Sequence, residues 1–406
     1  MDNLEIMRRF RVCASQRTTV QENWDKIERF VCPYRGRMFK DNQNEHAIEW
    51  NKPNHYDSTA VNAAQSLAAS LHSNLTSASL KWFDLSFRSQ ELNDDIDARE
   101  WLEHAGDAVF NALQDSNFEL EANEVYLDLT SYGTSAILEE VKESGLNEFE
   151  SLDFTAVPLK EVFFEPGERG ARVFYRQMKW EASRIVDKFG LDKVPDIVAE
   201  KYHKGEPEKC EIIFCIYPRE GKEAKIGQVL TPSNRPFGYK YVLAPSGEQI
   251  GDEGGYYEMP AYLPRWRKTS ESIWGHSPAM YALGDIITAN AVVKMLLEAS
   301  ELAIDPPVMV RDRSVLSDLD MRARSKIVVR DMDSIAPYTT GQRVDVGEIR
   351  LDDLRSSIRQ YFHVDQLQLK ESPAMTATEV QVRYELMQRA MASTVCLLYT
   401  SPSPRD

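Results

Sequence analysis

Cysteine is scarce in this 406-residue chain, and none of its five cysteines belongs to a CxxC pair. Cys210 and Cys215 stand in a C-x4-C spacing with no histidine pair nearby, which does not fit a zinc site. This scarcity excludes a small disulfide scaffold. It predicts free thiols in a reducing compartment.

Long apolar runs are also missing. Residues 1–30 carry acids and bases throughout and lack the apolar core of a secretory signal. The most apolar stretch, Ile286–Val293, is bounded by Asp285 and Lys294. It is much shorter than the roughly 20 residues that cross a bilayer. We therefore expect neither a signal peptide nor a membrane partner.

Positive charge is in deficit. The chain has 48 Lys and Arg residues against 64 Asp and Glu, which gives a net charge of −16. A surface of this charge repels DNA, RNA and anionic membranes as a whole, which disfavours a protein that clamps phosphates. Hydrophobic residues make up 42% of the chain. This is enough for a real core, and the length predicts two or three domains.

The common catalytic motifs are absent. The sequence contains no G-x-x-x-x-G-K-[ST], H-E-x-x-H, G-x-S-x-G or G-x-G-x-x-G pattern. Its seven histidines are scattered, without the i,i+4 pairing of a helical zinc site. We therefore predict no catalytic residue, no metal site and no cofactor.

Three acidic features that could suggest catalysis have simpler interpretations. Glu139 and Glu140 are neighbours on a predicted strand and should point to opposite faces of the sheet. Asp352-Asp353 fits an exposed helix start, where carboxylates interact favourably with the helix dipole. His55-Tyr56-Asp57 fits a loop that ends in a helix cap better than it fits two members of a catalytic triad.

The first third of the chain is predicted to be mainly helical, because apolar residues recur there at helical spacing. Pro33 ends the first helix, Asp57 and Ser58 can cap the second, and Gly133 ends the last. A short strand-like piece spans Trp82 to Phe87. The predicted helices are Asp2–Phe30, Asp57–Leu75, Asp94–Gln114 and Phe118–Ser131.

The pattern then changes to short runs rich in β-branched and aromatic residues, which are typical of strands. Between Gly221 and Gly255 the glycines and prolines cluster, so we expect loops with weak hairpins there. Two short helices, Glu181–Phe189 and Val194–Tyr202, interrupt the strands. The predicted strands are Ser135–Lys142, Phe149–Val157, Val162–Glu165, Arg172–Met178 and Cys210–Tyr217.

The longest predicted helix begins at Pro278, reaches about Ala303 and is stopped by Asp305-Pro306-Pro307. Its apolar residues lie all round the helix, which indicates burial on every side. A central position in one chain and an interface between subunits of a ring would both supply that burial. A small α/β insertion follows, in which Val315–Arg324 is predicted to be helical and Lys326–Val329 and Ile335–Tyr338 extended. An amphipathic helix comes next, at Val346–Phe362. The predicted fold class is α+β.

The end of the chain differs from the rest. Thr376-Ala-Thr-Glu379 fits a capping box that begins a long helix. The residues from Cys396 to Asp406 resemble the translation of a transposase-library sequencing adapter. We expect them to be an artefact, so that the helix from Thr376 is truncated at residue 395. The alternative is a natural tail rich in proline and serine.

A series of different short motifs is distributed along the chain to about Met391. They are Tyr56-Asp-Ser-Thr59, Leu67-Ala-Ala-Ser-Leu71, Trp82-Phe83, Trp101-Leu102, Ser116-Asn-Phe118, Asp128-Leu129, Tyr132-Gly-Thr134, Tyr217-Pro-Arg219, Pro264-Arg-Trp266, Trp274-Gly-His-Ser-Pro278, Asp305-Pro-Pro307 and Met375-Thr-Ala-Thr-Glu-Val380. In this order they resemble the motifs of the head-to-tail connecting (portal) proteins of short-tailed, T7-like bacteriophages. No single motif carries the resemblance, which rests on their shared order.

The resemblance implies a ring of subunits, usually dodecameric, at one vertex of the capsid. Double-stranded DNA is pumped into the head through the central channel by the terminase motor and later leaves through it. The implied partners are further copies of the chain, DNA, the terminase large subunit, a tail adaptor, and scaffold and capsid proteins. The implied locations are the virion and, during assembly, the host cytoplasm.

By position, the resemblance divides the chain into segments. A wing would comprise residues 1–276, of which residues 1–133 would be helical and residues 134–276 rich in strands. The other implied segments are two stem helices (277–303 and 346–362), a small α/β clip (304–345), a tunnel loop that projects toward DNA (363–375) and the start of a helix that returns to the wing (376–395).

Candidate site residues follow from these segments. The tunnel-loop residues that would lie along DNA are Gln366, Gln368, Lys370 and Glu371. The stem residues that would meet a neighbouring subunit are Ile287, Ala291, Val292 and Leu296. The clip residues that would dock terminase and tail proteins are Arg311, Arg313, Arg322 and Arg324. An acidic protein suits such a conduit, because a strongly basic channel would bind DNA tightly and stall its passage.

Other interpretations stay open on the sequence alone. The acidic surface would also serve solubility, and Lys370 could simply be solvated. A hydrolase or nuclease could use dispersed carboxylates that converge in a cleft. A DNA-binding adaptor would need a basic stripe, and none is visible in the sequence.

Overall fold

The computed structural model describes residues 1–33, 55–144, 148–167, 170–205, 208–224, 228–244, 246–269, 272–304, 308–310, 335–337 and 344–364. The predicted tunnel loop beyond Val364, the predicted helix from Thr376, residues 396–406 and most of the predicted clip lie outside these residues.

The described segments before residue 133 are helical, as predicted. Their helices are α1 (Asn3–Phe30), α2 (Thr59–Leu75), α3 (Gln90–Asp94), α4 (Ile96–Gln114) and α5 (Phe118–Tyr132). The separate helix α3 was not predicted. The break falls at Asp95, whose backbone is extended and whose carboxylate accepts a hydrogen bond from the Asp97 amide at 3.1 Å. Asp95 is therefore the N-cap of α4.

Helix α5 ends at Gly133, where the sequence predicts the end. Gly133 has a φ of +79°, the left-handed conformation that glycine adopts without strain. A Cβ built at this position would lie 2.6 Å from the carbonyl oxygen of Gly275. Both the backbone conformation and the close approach of the chain around Gly275 therefore require glycine.

The piece from Trp82 to Phe87 is not a strand, so this prediction was wrong. Its rings pack on the helices instead: the Trp82 ring stacks 6.2 Å from that of Phe118, and the Phe83 ring lies 6.4 Å from that of Phe110. Neighbouring aromatic residues suit an extended segment pressed against helices as well as a strand, and the sequence pattern does not separate the two.

Two antiparallel sheets follow α5. The larger has the strand order β3-β4-β5-β6-β7 and the smaller the order β2-β1-β8. Helices α6 (Ala182–Phe189) and α7 (Asp196–Lys204) connect β4 to β5. The strands are β1 (Ile137–Ser144), β2 (Glu148–Ala156), β3 (Val162–Gly167), β4 (Gly170–Glu181), β5 (Lys209–Pro218), β6 (Phe237–Leu243), β7 (Gln249–Tyr256) and β8 (Ala261–Tyr262).

Between Gly221 and Gly255, where loops with weak hairpins were expected, the strands β6 and β7 form an antiparallel hairpin. Both belong to the larger sheet, where Leu243 pairs with Ile212 of β5. One glycine of this hairpin provides space rather than a turn. A Cβ at Gly254 would collide with the ring of Tyr239 on the neighbouring strand. Glycine in a strand can thus mark a close approach rather than a turn.

The two faces of the larger sheet pack in separate cores. On β3, Phe163 belongs to a cluster with Ile6 and Phe10 of α1, whereas the next residue, Phe164, belongs to the main core of helices and sheet. This alternation is the two-residue period of a strand with both faces buried. Helix α1 therefore covers one face, and the main core occupies the other.

Arg17 fastens α1 to the larger sheet. Its Nη1 donates to the carbonyl oxygens of Lys160 at 2.6 Å and Val162 at 3.2 Å, and its guanidinium stacks 3.7 Å from the Phe163 ring centroid. Burial lowers the pKa of Arg17 to about 10, so the group stays charged at neutral pH. A buried charge held by carbonyls and an aromatic face meets the requirement for a compensated cation.

The long helix α8 (Pro278–Ile304) and helix α9 (Val344–Tyr361) close the described chain. Their bounds agree with the predicted helices to within a few residues. Between them, β9 (Val308–Val310) pairs antiparallel with β10 (Ile335–Pro337). The extended piece predicted at Ile335 is thus confirmed, while the predicted helix Val315–Arg324 and extended piece Lys326–Val329 lie outside the described residues.

Candidate functional site

Helix α8 changes character along its length. In its first half Ala279, Ala282, Ile286 and Ala289 are buried in the main core. In its second half large apolar side chains face solvent: the exposed fraction is 65% for Met295, 53% for Leu297 and 85% for Ile304. Large apolar side chains exposed along one helix indicate a surface that another molecule covers.

The four predicted interface residues fall into different environments. Ile287 is 37% exposed, whereas Ala291, Val292 and Leu296 are partly buried. Val292 and Leu296 pack against the main core. Leu296 also approaches α9 so closely that its Cδ2 would lie 2.9 Å from a Cβ placed on Gly347. Some of the predicted interface is therefore used within the chain.

The start of α8 is fastened to the end of α5 by buried hydroxyl groups. Ser277 Oγ donates to the carbonyl oxygen of Ser131 at 2.7 Å and accepts from the Met280 amide at 3.0 Å, so it caps α8. Thr134 Oγ1 accepts from the Gly275 amide at 2.8 Å. These bonds supply partners for polar groups that folding removes from water.

The middle of α8 is fastened to the loop before α2. Asn290 is buried, and its Oδ1 accepts hydrogen bonds from the backbone amides of Tyr56 at 2.7 Å and Asp57 at 3.3 Å. Asp57 Oδ1 accepts from the Thr59 amide at 2.9 Å, which confirms that His55-Tyr56-Asp57 is a loop ending in a helix cap. The loop is thereby tied to α8 and to α2 together.

Helix α9 is fastened to the same loop and to α8. Arg355 Nη2 lies 2.8 Å from Asp57 Oδ2, and the Asp57 side chain is only 4% exposed. Burial alone would raise the pKa of Asp57, but the hydrogen bonds from Thr59 and Arg355 outweigh it and hold the pKa below its usual value. Ser357 Oγ donates to Asp285 Oδ2 at 2.8 Å and joins α9 to α8 directly.

A cavity of about 460 Å³ lies where α9 ends beside the start of α8. It has a basic and aromatic lining that includes Arg267, Tyr281, Tyr361 and His363. His363 has a φ of +56°, the left-handed conformation that is uncommon for residues other than glycine. The chain thus turns sharply just after α9.

The groups considered for chemistry occupy structural positions. Glu139 accepts a hydrogen bond from the Tyr262 hydroxyl at 3.0 Å, and Glu140 one from the Tyr256 hydroxyl at 3.2 Å. Within the described ranges, no group of three His, Cys, Asp or Glu side chains is placed to hold a metal ion. Burial raises the pKa of the Cys13 thiol to about 11, so this thiol stays protonated at neutral pH.

The described helices include one, Pro278–Leu302, that is long and apolar enough by length and composition to cross a membrane, with a mean hydropathy of 1.4. This corrects the expectation that no stretch reaches that length. Single charges such as Asp285 interrupt the apolar run, but the mean hydropathy of the helix stays high. One face of the first half of the helix, however, is packed in the core of the protein. The remaining residues, 290–304, form a helical length of about 22 Å. This is shorter than the hydrocarbon core of a bilayer, which is ~30 Å thick. The exposed apolar residues therefore fit a protein partner better than lipid.

The remaining predicted site residues lie outside the described ranges of the chain. They are Gln366, Gln368, Lys370 and Glu371 of the predicted tunnel loop, and Arg311, Arg313, Arg322 and Arg324 of the predicted clip. The sequence analysis missed Asn290 and Arg355, which fasten the helix pair. Asn290 could have been found, since a lone amide in a helix predicted to be buried on all sides needs a partner.

Three comparisons relate the chain to known proteins. A model of the bacteriophage head to tail connecting protein family matches residues 3–401. A probable portal protein of Bordetella phage BPP-1 is 25% identical over 398 residues, covering 94% of this chain and 68% of the phage protein. A chain from the virion of a native gene transfer agent particle superimposes with a TM-score of 0.37 and 10% identity, covering 85% of this chain and 78% of that one.

Proposed function

Because the chain belongs to the family of bacteriophage head-to-tail connecting proteins, we propose that it works as a ring of identical subunits through which double-stranded DNA enters and leaves the capsid. The protein is a structural portal of a phage virion. Its finer role has four components: assembly of the ring, passage of DNA, docking of partners, and the rigidity that joins them.

Assembly is assigned to α8 and α9, the proposed stem. The observation that supports it is the exposure of large apolar residues on two sides of the second half of α8, with Met295 on one side and Leu297 and Ile304 on the other. Burying one such side chain contributes roughly 1.5–3 kcal/mol, so a few of them per subunit favour association. In a closed ring each subunit presents two different surfaces, and both sides of the stem are then covered.

Rigidity is assigned to the bonds that hold the stem to the rest of the chain. Asn290 and Arg355 converge on the Tyr56-Asp57 loop from the two stem helices. A stem that carries force from DNA movement needs such a junction, because a helix pair held only by apolar contacts could slide. We take residues 1–276 as the wing to which this junction transmits the load.

Passage and docking are assigned to segments beyond α9 and between the stem helices. The tunnel loop, residues 363–375, would line the channel with Gln366, Gln368, Lys370 and Glu371, where one lysine in an acidic chain contacts phosphate without holding it. The clip, residues 304–345, would present Arg311, Arg313, Arg322 and Arg324 to the terminase large subunit during packaging and then to the tail adaptor. Scaffold and capsid proteins would contact the wing.

We assign the protein no catalytic step and no cofactor. DNA movement is then driven by the terminase, while the ring supplies a path and a docking platform. Assembly takes place in the host cytoplasm before the portal becomes a component of the virion.

Electron microscopy of the purified protein over a range of concentrations tests the ring. We expect rings with a central hole, usually of twelve subunits, whose fraction rises with protein concentration. Monomers at every concentration, in a protein shown to be folded by circular dichroism, would contradict the assignment of assembly to the stem. The family membership would stand in that case, since it rests on the sequence.

A further inference from the structure

The cavity of about 460 Å³ between the start of α8 and the end of α9 has room for more than a few waters. Ligand sites in proteins commonly enclose about 300–1,000 Å³. Three parts of the chain form its walls: Arg267 comes from the segment before α8, Tyr281 from the first turn of α8, and Tyr361 from the end of α9. A molecule bound there would contact all three parts at once.

The lining of the cavity carries positive charge, although the chain as a whole is acidic. None of the described residues that line it is Asp or Glu, whereas Arg267 and His363 bring basic groups. Arg267 has no ion-pair partner among the residues that the structure describes. Asp285 contacts the lining residue Ser357, but its Oδ2 accepts the Ser357 hydroxyl proton at 2.8 Å. In a chain of net charge −16, a concave basic surface indicates an anionic ligand.

A buried polar atom beside the cavity has no partner in the described structure. It is Nδ1 of His276. The His276 ring lies 6.3 Å from that of Tyr281, and the His276 amide donates to the carbonyl oxygen of Arg267 at 2.9 Å, so His276 adjoins two residues of the lining. Buried polar atoms are nearly always hydrogen-bonded. The orphaned nitrogen therefore indicates that a molecule bound in the cavity supplies its partner.

Aromatic rings and neutral polar groups make up most of the remaining lining. Tyr281 and Tyr361 are 47% and 42% exposed, and planar ligands stack favourably on such rings. Ser357 donates its proton to Asp285, so its oxygen can only accept a hydrogen bond from a ligand. The Gln360 amide offers both a donor and an acceptor. Rings beside such groups suit a planar molecule with a polar edge.

We propose that this cavity binds a nucleotide. The phosphate would lie against Arg267 and beside His276, and the base would lie against the two tyrosines with its polar edge toward Ser357 and Gln360. The phosphate belongs to a free nucleotide or to a nucleotide of a nucleic acid strand, because the chemistry of recognition is the same for both. The nucleotide is bound and not converted.

Titration calorimetry with deoxyadenosine monophosphate tests the site. The ligand is added to the full chain, and inorganic phosphate and deoxyadenosine, which represent its two halves, are titrated separately. We expect the nucleotide to bind and each half to bind at least about tenfold more weakly, because only the nucleotide makes both sets of contacts. No binding at millimolar nucleotide overturns the proposal, and so does phosphate that binds as tightly as the nucleotide.

A single-stranded oligodeoxyadenylate separates the two sources of the ligand. Tighter binding of the oligonucleotide than of the mononucleotide supports a site for a nucleic acid strand. Tighter binding of the mononucleotide supports a site for a free nucleotide. Both results uphold the nucleotide as the ligand, whereas binding of neither molecule contradicts it.

Variants assign the binding to the cavity. Arg267→Gln removes the cation from an exposed side chain, so the fold is preserved, and it should weaken nucleotide binding about tenfold or more. Tyr281→Ala removes a ring and should weaken binding by a similar factor. Arg8→Gln, at an exposed arginine of α1, is the matched control and should leave binding unchanged. Equal affinity of wild type and Arg267→Gln would overturn the proposal.

Discussion

Arg355 of α9 contacts Oδ2 of Asp57 with two nitrogens, Nε at 2.9 Å and Nη2 at 2.8 Å, across 298 positions of the chain. Asp57 lies at the start of α2, so this pair joins α9 to the helical N-terminal part of the chain. Asn290 of α8 accepts hydrogen bonds from the same loop. Helices α8 and α9 are therefore both bonded to one short segment.

Asp57→Asn should lower the free energy of unfolding at neutral pH by roughly 2 kcal/mol, because a charge-assisted buried bond is lost. The pKa of Asp57 is depressed in the folded protein. Its contribution is therefore complete above the unfolded pKa of about 3.9 and is lost as the pH falls through the lower folded value. The difference between wild type and variant should shrink between pH 5 and pH 3, as measured by urea unfolding.

Asp153→Asn is the matched control for this change. Asp153 pairs with Lys142 at 3.2 Å, but the side chains are 38% and 57% exposed, so water screens the pair. Exposed pairs contribute about 0.2–1 kcal/mol, so this variant should unfold almost like wild type at either pH. Equal effects of the two substitutions would show that the Asp57–Arg355 pair does not fasten the stem.

Leu297→Asp should abolish rings while the subunit stays folded. Leu297 is exposed on α8, and in the proposed interface the new carboxylate would be buried without a partner, at a cost on the order of 3 kcal/mol per interface. Ala291→Asp and Val292→Asp should also abolish rings, although Val292 packs on the main core and its substitution will also destabilise the subunit. Ring fraction by electron microscopy measures the effect.

Val229→Asp provides the comparison for the stem variants. Val229 is an exposed aliphatic residue in the segment before β6, so the same charge enters a surface outside the stem. Rings should form normally. If Leu297→Asp also assembled normally, the second half of α8 would not be the interface.

Gly133→Ala should destabilise the protein more than Gly205→Ala. Both glycines are left-handed, with φ angles of +79° and +64°, and alanine in such a conformation costs about 1–2 kcal/mol. At Gly205 nothing lies within 4 Å of the added Cβ, whereas at Gly133 the Gly275 carbonyl oxygen would be 2.6 Å away. We expect more than about 3 kcal/mol at Gly133, measured by urea unfolding. Similar losses at both sites would mean that the chain around Gly275 moves aside easily.

Replacing Leu367–Met375 with a glycine-serine linker of equal length should leave ring assembly intact and impair packaging or retention of DNA. The linker preserves the connection while removing the side chains that would contact phosphate. The measurement is the yield of DNA-filled particles from a phage that carries the variant. Packaging at the wild-type level would contradict the proposal that this segment is the tunnel loop.

Much of the secondary structure follows from local patterns. Apolar periodicity predicts α1, α2, α5 and α8 within a few residues, and Gly133 is the predicted end of α5. Strands β6 and β7 were expected only as weak hairpins among loops, because their glycines resemble those of loops. Gly254 lies opposite the ring of Tyr239 on the neighbouring strand, where a larger residue would not fit. The local sequence does not show such a contact between strands.

The class of the protein follows from its sequence: the acidic charge, the α+β order and the succession of motifs that it shares with phage portals. Which residues of α8 are buried and which are exposed depends on tertiary contacts, because a helix that is apolar all round has no inward side until its neighbours are in place. The same holds for Asp57, Asn290 and Arg355. Their partners are far apart in the chain, so folding alone brings them together.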